Sequence, residues 1–182
     1  MSTGNKISTS AQNYADSLIK VGQDGVMTYD TILADLNTIR EITSSSQELV
    51  GVMENPAISV NTKDEIINNV FSNQINEKLI NFLKVLIDKK RFYELNEIIE
   101  AYSNKVDEIN NIKRVEVVSA VEVSDDRKQR LIEKLQNKLQ KTVIANWEID
   151  QNIIGGLVIK IDDDIIDNSL KNKLENLSKN II

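Results

Sequence analysis

The chain has 182 residues, a formal net charge of −6 and a pI near 4.8, the wrong sign for a protein whose main work is gripping phosphate backbones. It holds no cysteine and no histidine, which removes disulfides, thiolate metal sites, the commonest general base and the commonest transition-metal ligand together. With 41% hydrophobic and 27% charged residues it is an ordinary globular sequence, and no apolar run approaches the ~20 residues that span a bilayer.

Met1 to Thr9 reads as a loose tail. Met1 to Gln12 is polar, lacks an apolar h-region, and no arginine precedes Arg40, so neither a secretory signal nor a transit peptide is expected. From Ser10, read as the N-cap, a first helix carries Tyr14, Ala15, Leu18 and Ile19 on one stripe. Gly22 to Gly25 stops it. A second helix is expected from Thr28 to Ser44 with Ile32, Leu36, Ile39 and Thr43 along one side, then a short turn over Gln47 to Met53. Asn55-Pro56 carries the only proline and breaks the chain.

Thr62-Lys63-Asp64-Glu65 has the spacing of a capping box ahead of Ile66, Ile67, Val70 and Phe71. The next helix, Ile75 to about Lys89, is apolar nearly all round through Leu79, Ile80, Phe82, Leu83, Val85, Leu86 and Ile87. Phe92, Leu95, Ile98, Ile99, Tyr102, Val106 and Ile109 then form one more stripe. Five or six consecutive helices with short links predict an all-α bundle over residues 1–111. By default the first-helix stripe and Leu79, Phe82, Leu83 and Leu86 are its core. The fifth helix nonetheless has more apolar faces than a small bundle covers, and a partner helix in a groove between the two would use the surplus.

After Ile112 the period changes. Val115, Val117, Val121 and Val123 alternate with polar residues, and out-of-phase Val118 suggests a bulge. Ser124-Asp125-Asp126 caps a helix with Leu131, Leu135 and Leu139, followed by a strand over Ile144 to Ile149 and a turn at Asp150 to Asn152. Gly155-Gly156 opens a strand in which Leu157, Ile159 and Ile161 alternate with polar or outward positions. Leu170, Leu174, Leu177 and Ile181 recur at helical spacing. Residues 112–182 are thus expected to form a small β-α-β-β-α domain, and the whole chain an α+β protein with its boundary between Ile109 and Arg114.

The end domain also carries a resemblance. Ile153-Ile154-Gly155-Gly156, then Ile166-Asp167-Asn168-Ser169, then Leu174 and Leu177 resemble the C-terminal signature of the F-type ATP synthase delta subunit family, the mitochondrial counterpart of which is the oligomycin-sensitivity-conferring protein. Tyr14-Ala15, Asn55-Pro56 before Lys63 and Ile66-Ile67, Phe82-Leu83 through Arg91 to Leu95, Val117-Val118-Ser119-Ala120, and Ser124 extend the likeness over nearly the whole chain. Asp163-Asp164, Asn168 and Lys171 depart from the family pattern; asparagine tolerates left-handed backbone, so Asn168 is expected to keep the turn where the family usually has glycine.

The resemblance implies a non-catalytic stator subunit that resists rotor torque during proton-driven ATP synthesis, with catalysis in other subunits and no cofactor or metal. It implies that the helical domain receives the amphipathic N-terminal helix of an α subunit against Tyr14, Ala15, Leu18, Ile19, Leu79, Phe82, Leu83 and Leu86. It also implies that the C-terminal domain meets the peripheral-stalk b subunits, with Gly155, Gly156, Asp167 and Ser169 shaping that surface. The implied location is peripheral, on the cytoplasmic face of a bacterial inner membrane or the stromal face of a thylakoid.

Two other readings compete. Gly155-Gly156 with the Asp162–Asp167 carboxylates would suit a phosphate, nucleotide or cation site, although no phosphate-loop motif or spaced cation loop is present. A β-α-β-β unit would also suit an RNA-binding adaptor, against which stand the acidic balance and aromatics at 4%.

Overall fold

A computed structural model describes residues 7–162 and 164–179. They divide into two compact units, one ending at Val106 and the other beginning at Asp107.

The first unit is built from α1 (Thr9–Gln23), α2 (Tyr29–Ser45), α3 (Gln47–Glu54), α4 (Val60–Phe71), α5 (Glu77–Asp88), a 3₁₀ turn at Phe92–Glu94 and α6 (Leu95–Ile109) up to Val106. The last residues of α6 count with the second unit, so the boundary does not fall between Ile109 and Arg114 as expected. Most of these helices begin on a side-chain cap. Ser8, Thr28, Ser46, Ser59 and Asn76 each accept a hydrogen bond from a first-turn amide, satisfying donors that the helix itself leaves open. Two expected caps shift upstream. Ser8, not Ser10, caps α1, and Ser59, not Thr62, caps α4; Thr62 sits three residues inside and offers its own amide to Ser59 Oγ at 3.2 Å.

The apolar stripes of all six helices merge into one core. Ala11, Ala15, Ile32, Leu36, Ile39, Ile67, Phe71, Leu83, Leu86, Ile98, Ile99 and Tyr102 are completely buried in it. Each of the larger side chains among them contributes roughly 1.5–3 kcal/mol through lost apolar exposure, and each alanine methyl about 0.8 kcal/mol, before the entropy cost of ordering them. Tyr102 buries its ring and donates its hydroxyl to the Tyr29 carbonyl at 3.2 Å, so the one polar atom is satisfied.

The second unit is a sheet with helices: β1 (Ile112–Ser119), α7 (Asp125–Leu139), β2 (Thr142–Ile149), a 3₁₀ turn at Gln151–Ile153, β3 (Leu157–Ile161), β4 (Asp164–Asp167) and α8 (Leu170–Lys179). The sheet order is β2-β1-β3-β4. β1 runs parallel to β2, with α7 as the crossover, and β3 is antiparallel to both β1 and β4. Val115 and Val117 of β1, Val143 of β2 and Ile159 of β3 form the face that receives Leu135 of α7, flanked by Leu131, Leu139, Trp147 and Leu157. Lys128 of α7 stands 5.7 Å from the centre of the Trp147 ring, a cation–π contact at the edge of that layer.

The α+β class stands, with one strand more than the sequence pattern gives. Where β4 lies, the pattern points to a turn and a helix start; the four residues of the strand are exposed, so there is no burial alternation to read. β1 is shorter than expected, ending at Ser119, and Val121 is exposed beyond it. Val118 needs no bulge, because β1 pairs with β2 in unbroken register from Ile112 to Ser119 and Val118 is simply buried on the opposite face from Val117.

Candidate docking surfaces

The first candidate surface lies between α1 and α5. Of the eight residues singled out there, Ala15, Leu18, Ile19, Leu79, Leu83 and Leu86 are buried by the unit's own helices. Tyr14 and Phe82 differ. Both are half-buried, and their rings meet edge to face with centroids 6.1 Å apart. Val85, one turn beyond Phe82 on α5, is 47% exposed. The periodicity that named eight positions could not separate the inward face from its rim, since a helix that is apolar nearly all round gives one stripe running into the next.

α1 is held in place at its N-terminal end by a polar cluster that sequence patterning did not single out. Ser8 donates its amide to Glu97 of α6 at 3.1 Å, and Arg91 donates to Ser10 Oγ at 2.6 Å and to Glu94 Oε1 at 2.7 Å. Tyr93 donates its hydroxyl to the same Glu94 oxygen at 3.0 Å. Glu94 is buried. Burial pushes its carboxyl up, but the neighbouring Ser10 and Tyr93 hydroxyls and the Arg91 guanidinium outweigh that and hold it below the usual carboxylate range.

The second candidate surface gathers around the turn before β3 and the start of α8. Gly156 has φ +85°, and a β-carbon there would lie 2.4 Å from the Asn168 carbonyl oxygen. A β-carbon on Gly155 would meet the Leu170 side chain at 2.9 Å. The two glycines therefore let the β3 entry pass against the backbone that leads into α8. Asn168 N–H donates to the Leu157 carbonyl and Leu170 N–H to the Gly155 carbonyl, closing the approach from both sides.

Asn168 itself is not left-handed, contrary to expectation. The left-handed positions near it are Ile154, Gly156 and Asp162. Asp167 Oδ1 accepts the Ser169 amide at 2.8 Å, and Ser169 Oγ accepts the Asn172 amide at 3.1 Å, so Ser169 is the cap of α8 and Asp167 fixes the turn into it. The Ser169 side chain and amide hold the Asp167 carboxyl below its usual range. Beside this junction Ile154, Leu170 and Leu174 are exposed, an apolar patch that the helical spacing of the leucines alone did not mark as surface.

The competing readings find little geometry. Gly155 spends its amide on the Ile153 carbonyl at 2.8 Å rather than offering it outward. Asp162 pairs with Lys113, while Asp164 and Asp167 lie in β4; Asp163 falls outside the described residues. Among the described residues no three carboxylates converge on a point where a cation would sit.

The comparisons agree with one another. The model of a family described as "ATP synthase delta (OSCP) subunit" matches residues 11–181. The ATP synthase subunit delta of Chlorobaculum tepidum is 34% identical over 172 residues, covering 94% of each chain. That of Clostridium perfringens strain SM101 is 36% identical over 168 residues, covering 92% of this chain and 93% of that one. A chain in the cryo-EM structure of the Toxoplasma gondii mitochondrial ATP synthase hexamer shares the fold, with a TM-score of 0.71 at 18% identity over 96% of this chain and 98% of that one. No described helix is long and apolar enough to cross a membrane. The chain belongs to the ATP synthase delta (OSCP) subunit family, the peripheral-stalk component of F-type ATP synthase, in which catalysis lies in other subunits.

Proposed function

We propose that the helical unit receives the amphipathic N-terminal helix of an α subunit along the α1–α5 rim, and that the C-terminal unit meets the ends of the b-type stalk subunits. The observation that carries the first half is the Tyr14–Phe82 pair. Two aromatic rings left half-buried over a well-filled core, with Val85 exposed beside them, offer an apolar helix a rigid seat at little ordering cost. The six other residues of the stripe act beneath that seat, holding α1 and α5 at fixed spacing rather than touching the partner.

The second half is supported by the exposed Ile154, Leu170 and Leu174 beside the Gly156–Asn168 approach, with Asp167 and Ser169 fixing where α8 begins. Apolar contacts supply affinity at each end. Engaging one assembly through two units adds effective concentration, so neither contact alone has to carry the torque. The chain would then sit peripherally, on the cytoplasmic face of a bacterial inner membrane or the stromal face of a thylakoid, attached through the complex. Calorimetric titration of the full chain with a synthetic peptide of the α-type N-terminal helix, repeated with Phe82→Ala, tests the first contact. A matching titration with a peptide from the C-terminal end of the b-type stalk, repeated with Leu174→Ala, tests the second.

A further inference from the structure

A cavity of about 400 Å³ opens in the helical unit between the α3–α4 connection, the end of α5 and the 3₁₀ turn, away from the residues assigned to the α1–α5 rim. Met53, Ile58, Val60, Ile87 and Phe92 give it an apolar lining. The volume falls within the roughly 300–1,000 Å³ of small-molecule sites. Lys63, which also lines it, is 94% buried, being 6% exposed.

Its ammonium donates to the Met53 carbonyl at 2.7 Å, and Met53 lines the same cavity. That contact sets the cation at the C-terminal end of α3, where the helix dipole offsets part of its charge. Among the described residues no carboxylate lies within ion-pairing distance of it, and one hydrogen bond leaves two of its three donors for another acceptor. Burying a cation without a carboxylate partner is costly, so a site that keeps one beside an apolar-lined cavity is suited to an anion with an apolar body.

The rim limits which anion fits. Glu54 and Asp88 stand exposed at the cavity edge, with Lys90 also there. Exposed charges are screened, and with Asp88 paired to Lys89 at 3.1 Å and Lys90 sharing the edge with Glu54 the rim adds no net positive charge. The single buried ammonium is therefore matched by one negative charge rather than by a dianion such as phosphate. A single negative charge reaching inward to Lys63, followed by a flexible hydrocarbon chain, meets every feature. We propose that this cavity is a binding site for a free aliphatic monocarboxylate of medium chain length, its carboxylate on the Lys63 ammonium and its chain along Met53, Ile58, Val60, Ile87 and Phe92.

The test uses the full chain, octanoate and octan-1-ol. The alcohol matches the apolar body and lacks the charge. Titrations are followed by calorimetry and by the methyl resonance of labelled Met53. Octanoate is expected to bind saturably, to shift Met53, and to bind about tenfold tighter than octan-1-ol, the factor a charge-assisted hydrogen bond supplies. Lys63→Met should abolish that preference. Because that variant also loses a buried contact to α3, Val60→Glu serves as the second: it stands exposed in the first turn of α4, where an acid is tolerated, and brings a like charge to the ligand. Both ligands lose the apolar contact to Val60, and octanoate should weaken several-fold more than octan-1-ol because it alone also meets the like charge. Equal affinity for acid and alcohol, octanoate weakened by Val60→Glu no more than octan-1-ol, or no saturable octanoate binding with a Met53 shift would overturn the proposal.

Discussion

Gly156 and Asn168 approach so closely that a single added β-carbon at Gly156 would stand 2.4 Å from the Asn168 carbonyl oxygen. This contact joins the entry of β3 to the start of α8. At Gly156 both the left-handed φ of +85° and the backbone neighbour exclude a side chain, whereas at Gly155 the obstacle is the end of a flexible leucine.

Gly156→Ala should therefore cost about 2 kcal/mol or more, from strain and clash together, while Gly155→Ala costs less. Denaturant unfolding of the two variants, read by the fluorescence of the single Trp147, checks the order. Equal destabilisation would mean that the backbone approach is not what fixes this turn.

Tyr14 and Phe82 should separate binding from folding. As half-buried residues, Tyr14→Ala and Phe82→Ala are expected to lower stability by about 1 kcal/mol and to weaken binding of an α-type N-terminal helix about tenfold or more. Leu83→Ala, in the core beneath them, should instead cost about 2–5 kcal/mol of stability. Thermal melts alongside peptide titrations distinguish the two patterns.

Arg114 of β1 grips Asp107 of α6 with two hydrogen bonds, Nε to Oδ2 at 2.5 Å and Nη2 to Oδ1 at 3.1 Å. Asp107 raises the Arg114 guanidinium above its usual range, chiefly by that hydrogen bonding. With the Arg114 side chain 55% exposed, solvent screening limits the pair to about 1 kcal/mol of coupling. A double-mutant cycle of Arg114→Ala and Asp107→Asn measures it, and zero coupling would remove the pair as a brace at the start of the sheet.

Glu94 sets an acid limit on the helical unit. Because folding lowers its carboxyl from the usual 4.5, its contribution is complete above that value and is lost as pH falls through the lower folded value. Unfolding followed from neutral to strongly acidic pH should show a loss of stability in that window, reduced in Glu94→Gln. An unchanged acid limb in the variant would assign the loss to other carboxylates.

Most of the elements were readable in the sequence, because helix stripes and capping residues are local signals. The misreadings share a physical cause. Ser8, Ser10, Ser59 and Thr62 are all chemically fit to cap, and only the path of the chain decides between them. β4 was hidden because Asp164 to Asp167 forms an exposed edge, with no buried face to impose alternation. Asn168 looked like the glycine substitute, yet the left-handed residue needed at this junction is Gly156, set by its contact with the backbone that leads into α8. For the candidate surfaces, the spacing marked α1 and α5 but could not separate core from rim, since Tyr14 and Phe82 share their stripe with residues that never reach the surface. The burial of Lys63 and Glu94 left no mark in the sequence, because a charged residue declares its burial only through distant partners.

The most direct test of the stalk assignment at its head end is titration of the full chain with the N-terminal helix of an α subunit from the same source. Saturable binding is expected, weakened about tenfold in Phe82→Ala, a variant that keeps its fold and loses only about 1 kcal/mol of stability. Binding that is absent, or that is unaffected by both Tyr14→Ala and Phe82→Ala, would contradict it.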